Sequence, residues 1–197
     1  VHMYYIGQET GNAIAQVLAG DVSPAGKLPF TFIADYNQSP AFKDYKKSLK
    51  VPYSEGVFVG YRYLDKNRME PTFPFGYGLS YTTFAYKNLK ITDEGNRRYT
   101  ISVEVSNTGS RAGDEVVQLY IAPPQSAVER PLKELKGFGR VSLKPGETKT
   151  VTIGLKERDF AYWDVDSKGW KVEPGKYQVL IGASSKDIRL KDVIEIK

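Results

Sequence analysis

The sequence contains no cysteine and a single histidine, His2. A disulfide framework, a thiolate metal site and a cysteine nucleophile are therefore excluded, and a serine, histidine and acid triad could be built only around His2. No apolar run approaches the ~18 residues that suggest a membrane span, and the N-terminus lacks the basic region plus apolar core of a signal peptide. No membrane partner is expected.

A one-signed charge excess is also missing. Residues 1–86 hold 8 Lys+Arg and 7 Asp+Glu, and residues 87–197 hold 20 and 16, so the net +5 is spread along the chain. A nucleic-acid footprint needs basic residues clustered on one face. The nearest approach is Lys43-Asp44-Tyr45-Lys46-Lys47, which an ordinary solvated surface explains, and no nucleic-acid partner is expected. A (β/α)8 barrel needs roughly 250 residues, more than the 197 present.

What the chain does contain falls into three stretches. Residues 1–33 read as strand, helix, turn and strand. Val1 to Ile6 is short and apolar, and Gln8 to Ala19 places Ile14, Val17 and Leu18 on one helical face before Gly20. Leu28 to Ile33 reads as a second strand. One helix and two strands cannot cover a parallel sheet, so this is an incomplete α/β segment. Residues 34–86 have weak periodicity and many rings: 10 of the chain's 25 aromatics fall between Tyr53 and Tyr86. Such density suits a packed connector, because a free linker would be polar and rich in Gly and Ser. Residues 87–197 alternate with period 2 in short runs: Tyr99 to Val105, Val116 to Ile121, Leu135 to Leu143, Thr148 to Leu155, Lys176 to Gly182 and Arg189 to Ile196. About seven strands in ~110 residues predict an immunoglobulin-like β-sandwich, and without cysteine it should be of the fibronectin type III-like variety. The fold class expected is thus mainly β.

Several blocks resemble one family in order. Gly7-Gln8-Glu9-Thr10-Gly11-Asn12-Ala13-Ile14-Ala15 and Pro24-Ala25-Gly26-Lys27-Leu28-Pro29 look like the end of the α/β sandwich domain of family 3 glycoside hydrolases. Tyr53-Ser54-Glu55-Gly56 through Tyr63, Phe73-Pro74-Phe75-Gly76-Tyr77-Gly78 and Arg130-Pro131-Leu132-Lys133-Glu134-Leu135-Lys136-Gly137-Phe138 resemble its following blocks. The resemblance implies an exo-acting, retaining β-glucosidase or β-xylosidase as the parent, secreted or periplasmic, with a β-linked oligosaccharide as substrate. Retaining chemistry needs an Asp or Glu nucleophile and an acid/base about 5 to 5.5 Å apart. In the family these carboxyls belong to an N-terminal barrel and an earlier part of the sandwich domain, so the resemblance assigns this chain no catalytic residue, cofactor or metal. Its implied partners are those barrel and sandwich domains; a homodimer is a further assembly allowed. The alternative reading is an autonomous carbohydrate-binding module.

Individual residues were weighed against plainer roles. Glu9 sits where a carboxylate caps a helix, and Glu55 is placed to bond to backbone or to Arg62. Asp21 and Asp35 are turn acids. His2 reads as a packed histidine on a buried strand. Trp163 and Trp170 could stack on sugar rings, but strand-borne aromatics more often fill a core or seam. The loop Ala122 to Arg130 is either a plain connection or a contact with another domain or subunit. Phe73, Phe75, Tyr77 and Tyr81, spaced by two or four, are expected to form a seam between the two ends of the chain.

Overall fold

The computed structural model describes residues 1–5, 7–45 and 49–197. Ile6, and Lys46 and Lys47 of the charge cluster, lie outside the described residues.

The sandwich is built from seven strands in two antiparallel sheets. Strands β1 (Phe84–Gly95), β2 (Arg98–Asn107) and β5 (Thr148–Leu155) form one, in the order β1-β2-β5. Strands β3 (Gly113–Ala122), β4 (Glu134–Leu143), β8 (Gly175–Gly182) and β9 (Ile188–Ile196) form the other, in the order β4-β3-β8-β9. Between β5 and β8 come a short helix, α3 (Glu157–Phe160), and a hairpin of β6 (Tyr162–Asp164) and β7 (Gly169–Lys171). The sandwich thus begins at Phe84, three residues before the expected start; β1 was not legible because a shift of register between Lys87 and Lys90 breaks its alternation.

Alternation decides which side chains meet. On β2, Tyr99, Ile101, Val103 and Val105 point inward and are buried, opposite Leu155, Ile153 and Val151 of β5. Val117, Leu119 and Ile121 of β3 and Tyr177, Val179 and Ile181 of β8 close the core from the other sheet. Each such side chain removed from water contributes about 1.5 to 3 kcal/mol, which is what a sandwich without a disulfide rests on. Strand β4 lies close to β5 because Gly137 and Gly139 occupy inward sites: a Cβ at either would lie 2.5 Å from Ile153 or Val151.

The two sheets differ on their outer faces. The three-stranded one has Ser102, Glu104 and Ser106 beside Thr148, Thr150 and Thr152, a solvated surface. The four-stranded one is buried on both sides at its centre, where Tyr120, Ala122 and Leu180 pack beneath Tyr61 and Phe75. Tyr61 belongs to helix α2 (Tyr61–Lys66) of the connector. Both faces of β3 and β8 are therefore covered, a pattern usual for α/β sheets and here supplied by the connector.

The start of the chain departs from expectation. Helix α1 (Thr10–Ala19) forms and stops at Gly20 as predicted, but it has no buried residue. Residues 1–5 form no strand: Val1, Tyr4 and Tyr5 are exposed. Leu28 to Ile33 forms only an isolated bridge between Phe32 and Phe73. A strand needs a neighbour to pair with, and among the described residues Val1 to Tyr5 have none.

One corner of the sandwich is held by polar contacts. The Tyr177 hydroxyl donates to the Glu173 carbonyl at 2.8 Å, a tyrosine corner. The Glu173 carboxylate accepts from the Ala127 amide at 3.1 Å and, more distantly, the Tyr162 hydroxyl. Arg130 donates to the Phe160 carbonyl at 3.2 Å and lies over the Tyr162 ring. Partial burial pushes the Glu173 carboxyl up, but the bonds from Ser126, Ala127 and Tyr162 and the charge of Arg130 outweigh it and leave the carboxyl below its usual range. A carboxyl lowered in the folded state adds stability above its unfolded pKa, lost as pH falls through the folded value. Glu173→Gln is therefore expected to flatten the decline in stability below about pH 4.3, measured by urea melts from pH 6 to 3. Tyr177→Phe, which leaves the Glu173 carbonyl without its donor, should cost about 1 to 3 kcal/mol at neutral pH.

Candidate interdomain interface

The carboxylates of the first half of the chain do not converge. Glu9 is at the N-cap of α1, yet its side chain caps no backbone amide; it accepts from the Asn12 side chain at 2.6 Å instead. The capping role expected from position alone is thus corrected: the residue two or three places on that can reach a carboxylate takes it first. Asp35 does cap, accepting from the Asn37 amide at 2.8 Å. Glu55 is not the partner of Arg62, which pairs with Glu134 at 3.6 Å. No hydrogen bond or ion pair joins any two of Glu9, Asp21, Asp35 and Glu55 among the described residues. Nor do the described residues contain a group of three or more His, Asp or Glu able to hold a metal ion. His2 is exposed and meets Tyr4, Phe30 and Phe32 edge-on, in an aromatic cluster and not on a buried strand.

Trp163 and Trp170 lie outside the sandwich core. They are cross-strand partners on the β6–β7 hairpin, with ring centroids 5.4 Å apart, and each is half exposed. An isolated two-stranded hairpin is marginal in water, and an edge-to-face pair on its outer side is what stiffens it.

The seam through the aromatic connector is present. Residues 72–81 run between the start of the chain and the sandwich, bonding to both. Toward the start, the Leu28 amide donates to the Tyr77 carbonyl and the Gly76 amide to the Leu28 carbonyl, both at 2.8 Å. The Tyr81 hydroxyl donates to the Val17 carbonyl at the end of α1, also at 2.8 Å. Toward the sandwich, the Ser185 amide donates to the Phe75 carbonyl at 2.9 Å and the Gln118 side chain to the Gly76 carbonyl at 3.0 Å. Phe75 stacks on Tyr61 at 5.0 Å, whereas Phe73 and Tyr81 stay 41% exposed, so the seam buries one side of the segment only.

Charges lock the same junction. Lys27 meets Glu115 of β3 at 2.9 Å with both side chains largely buried. Asp65 of α2 is paired with Lys133 and with Lys186, the latter at 3.6 Å. Burial pushes the neighbouring Tyr86 phenol far above its usual range, and the Glu115 charge adds to the effect. None of these pairs was expected from the sequence, because partners 88, 68 and 121 positions apart leave no local signal.

Exposed apolar side chains are concentrated in the first part of the chain. Among the described residues, seventeen of the 24 exposed large hydrophobic side chains lie between Val1 and Tyr81, while only Phe58, Tyr61 and Leu64 of that stretch join the buried hydrophobics. Soluble surfaces seldom leave so much apolar area uncovered, and such patches mark interaction sites. Leu18 of α1, beside the half-buried Ile14 and Val17, and the ring cluster around Phe30 are parts of it.

At Gly76 the backbone has φ 80°, and an added Cβ would sit 2.0 Å from the Gln118 side-chain oxygen. Gly76→Ala combines an unfavourable left-handed conformation with overpacking, and we expect it to cost about 2 to 4 kcal/mol. Adding Gln118→Ala should return part of that loss, giving a favourable coupling in a double-mutant cycle of urea melts.

Residues 1–81 match the model of the glycosyl hydrolase family 3 C-terminal domain, and residues 115–185 that of the fibronectin type III-like domain. Among curated proteins, the chain is 47% identical to the thermostable beta-glucosidase B of Acetivibrio thermocellus over 98% of its own length and 26% of the relative's. It is 49% identical to a beta-glucosidase of Kluyveromyces marxianus over 95% and 22%. Among solved structures, it superposes on a beta-glucosidase of Bifidobacterium adolescentis with a TM-score of 0.93 at 43% identity, covering 96% of this chain and 28% of that one. The beta-glucosidase 3B of Thermotoga neapolitana, in complex with α-D-glucose, gives 0.89 at 42%, covering 95% and 27%. The chain spans about a quarter of the length of the curated relatives it matches.

Proposed function

The chain corresponds to the C-terminal part of the family 3 glycoside hydrolases, and on that premise we propose that it is the scaffolding portion of a retaining, exo-acting β-glycosidase of the β-glucosidase type. The parent would remove terminal sugars from β-linked oligosaccharides, and this chain alone would not. The observation that carries the reading is the exposed apolar surface of residues 1–81, bonded through the seam to a sandwich that has a complete core of its own. Such a chain is built to present one face to something larger.

Under this reading residues 1–33 close an α/β sandwich domain, 34–86 form the seam, and 87–197 are the fibronectin type III-like unit that stiffens it. The partners are the parent's barrel and the rest of its sandwich domain, which would cover α1 and the Phe30 cluster. A secreted or periplasmic setting suits an enzyme that trims external oligosaccharides. No helix of the described residues is long and apolar enough to cross a membrane.

The test is reconstitution. Residues 1–197 should show no hydrolysis of nitrophenyl β-glucoside above background, since neither carboxyl of a retaining pair is supplied. Mixed with the separately expressed preceding portion of the Acetivibrio thermocellus relative, they should restore turnover. Leu18→Asp, on the exposed α1 face, should weaken that assembly at least about tenfold, or 1.4 kcal/mol. Turnover by the chain alone, abolished by Glu55→Gln, would overturn the reading.

A further inference from the structure

The β6–β7 hairpin carries a surface that the docking reading leaves unused. Trp163 and Trp170 are 50% and 49% exposed, and Val165 at the turn is 75% exposed. Tyr162 is held beneath Arg130 and bonded to Glu173, so the hairpin is anchored to the sandwich on that side while the neighbouring tryptophans face away. Arg158 of α3 lies over the Trp170 ring, 3.2 Å from its centroid, and Trp163 carries no such cation among the described residues. The cross-strand contact of the two rings fixes them at an interplanar angle of 68°. The result is a rigid aromatic corner with a guanidinium at its edge.

We propose that this corner is a stacking surface for a β-linked glucan chain. The extent of the patch argues against a protein partner. A tryptophan can bury up to about 250 Å², so two half-exposed indoles offer about that area between them, far below the ~800 Å² per side of a standard protein interface. It matches one or two sugar rings. Charge points the same way. Within Tyr162–Lys171, Asp164 and Asp166 are balanced by Lys168 and Lys171, so the hairpin is neutral and selects for neither an anion nor a cation.

The chemistry of the ligand completes the fit. A β-glucosyl ring has its hydroxyls equatorial, which leaves apolar C–H groups on its two faces and polar groups around its rim. The C–H face would lie on the Trp163 indole, with the Trp170 edge beside it. Arg158, over the Trp170 ring, is placed to donate to rim hydroxyls, as sugar recognition by an aromatic floor with a polar group beside it requires. A β-1,4-linked chain is extended and ribbon-like, so successive rings keep their faces exposed, whereas an α-1,4-linked chain coils.

Both tryptophans of the chain lie at this one place, so intrinsic fluorescence of residues 1–197 reports on it alone. Cellohexaose is expected to give a saturable change in emission and to reduce iodide quenching about threefold, while maltohexaose leaves both unchanged. Trp163→Ala should abolish the response. Because that change removes the ring pair, Arg158→Ala is the second variant: it leaves both indoles and the strand pairing in place and should weaken cellohexaose binding about tenfold. The proposal is overturned by emission and quenching that do not move with cellohexaose up to its solubility, by an equal response to maltohexaose, or by an Arg158→Ala variant that binds as tightly as the original. It is also overturned if the indoles become shielded as protein concentration rises without sugar, which would mean that a second copy covers them. Failure of reconstitution with the relative's catalytic portion leaves this readout untouched, so the two ideas fail separately.

Discussion

A sheet covered on both faces cannot be assembled from one side alone, and the contact between Gln118 and Gly76 is where the two sides of this molecule meet. Gln118 stands on the outer face of β3 and is buried, so its amide must find partners within the protein. It donates to the carbonyls of Gly76 and Ala183 and accepts from the Tyr120 hydroxyl at 2.6 Å. Only a residue without a side chain lets the backbone come this near. The register of the connector against the sheet, and through it the position of Leu28 and α1, follows from that one approach. Lys27–Glu115 and Asp65–Lys133 lie on either flank and fix the remaining rotation. Breaking one member of such a buried pair typically costs about 3 to 5 kcal/mol, so they hold orientation strongly even though their net contribution is modest.

All of the sandwich but β1 was legible, because the other strands each carry their own alternation. Thr148 to Leu155 alternates cleanly, and Lys144-Pro145-Gly146-Glu147 turns before it with Gly146 at φ 73° and the Glu147 amide donating to the Lys144 carbonyl. Strand β2 ends at Asn107 for a reason that no strand pattern carries. Asn107 is buried with its whole amide engaged, donating to the carbonyls of Arg111 and Leu143 and accepting from Thr82 and the Gly109 amide. That set of partners is spread over 61 positions, and no local pattern foretells it.

The misreadings share a cause. Val1 to Tyr5 has the composition of a buried strand, and Leu28 to Ile33 does too, but a strand exists only where another strand accepts its bonds. Composition reports what a segment could pair with, not whether the pairing surface is at hand. Glu9 failed as a cap for a smaller reason of the same kind: Asn12, one turn along, reaches the carboxylate first. Trp163 and Trp170 stay out of the core because β6 and β7 are three residues each, too short to reach it, and their rings settle on each other.

The solvated outer face of the three-stranded sheet has a consequence for how this sequence can drift. Ser102, Ser106, Thr148, Thr150 and Thr152 there answer only to strand propensity and to water, with the Ser106 and Thr148 hydroxyls 2.7 Å apart as the one closer commitment. Exchange among hydroxylated and β-branched residues at those sites is nearly free. The opposite sheet answers to two neighbours at once, and a change at Tyr120 or Leu180 must satisfy the connector as well as the strands beside it. Two sheets of one domain are thus held to different rules of substitution. A library randomised over the first would keep most of its members folded, and the same library moved to the second would lose the link between the domain and whatever it supports.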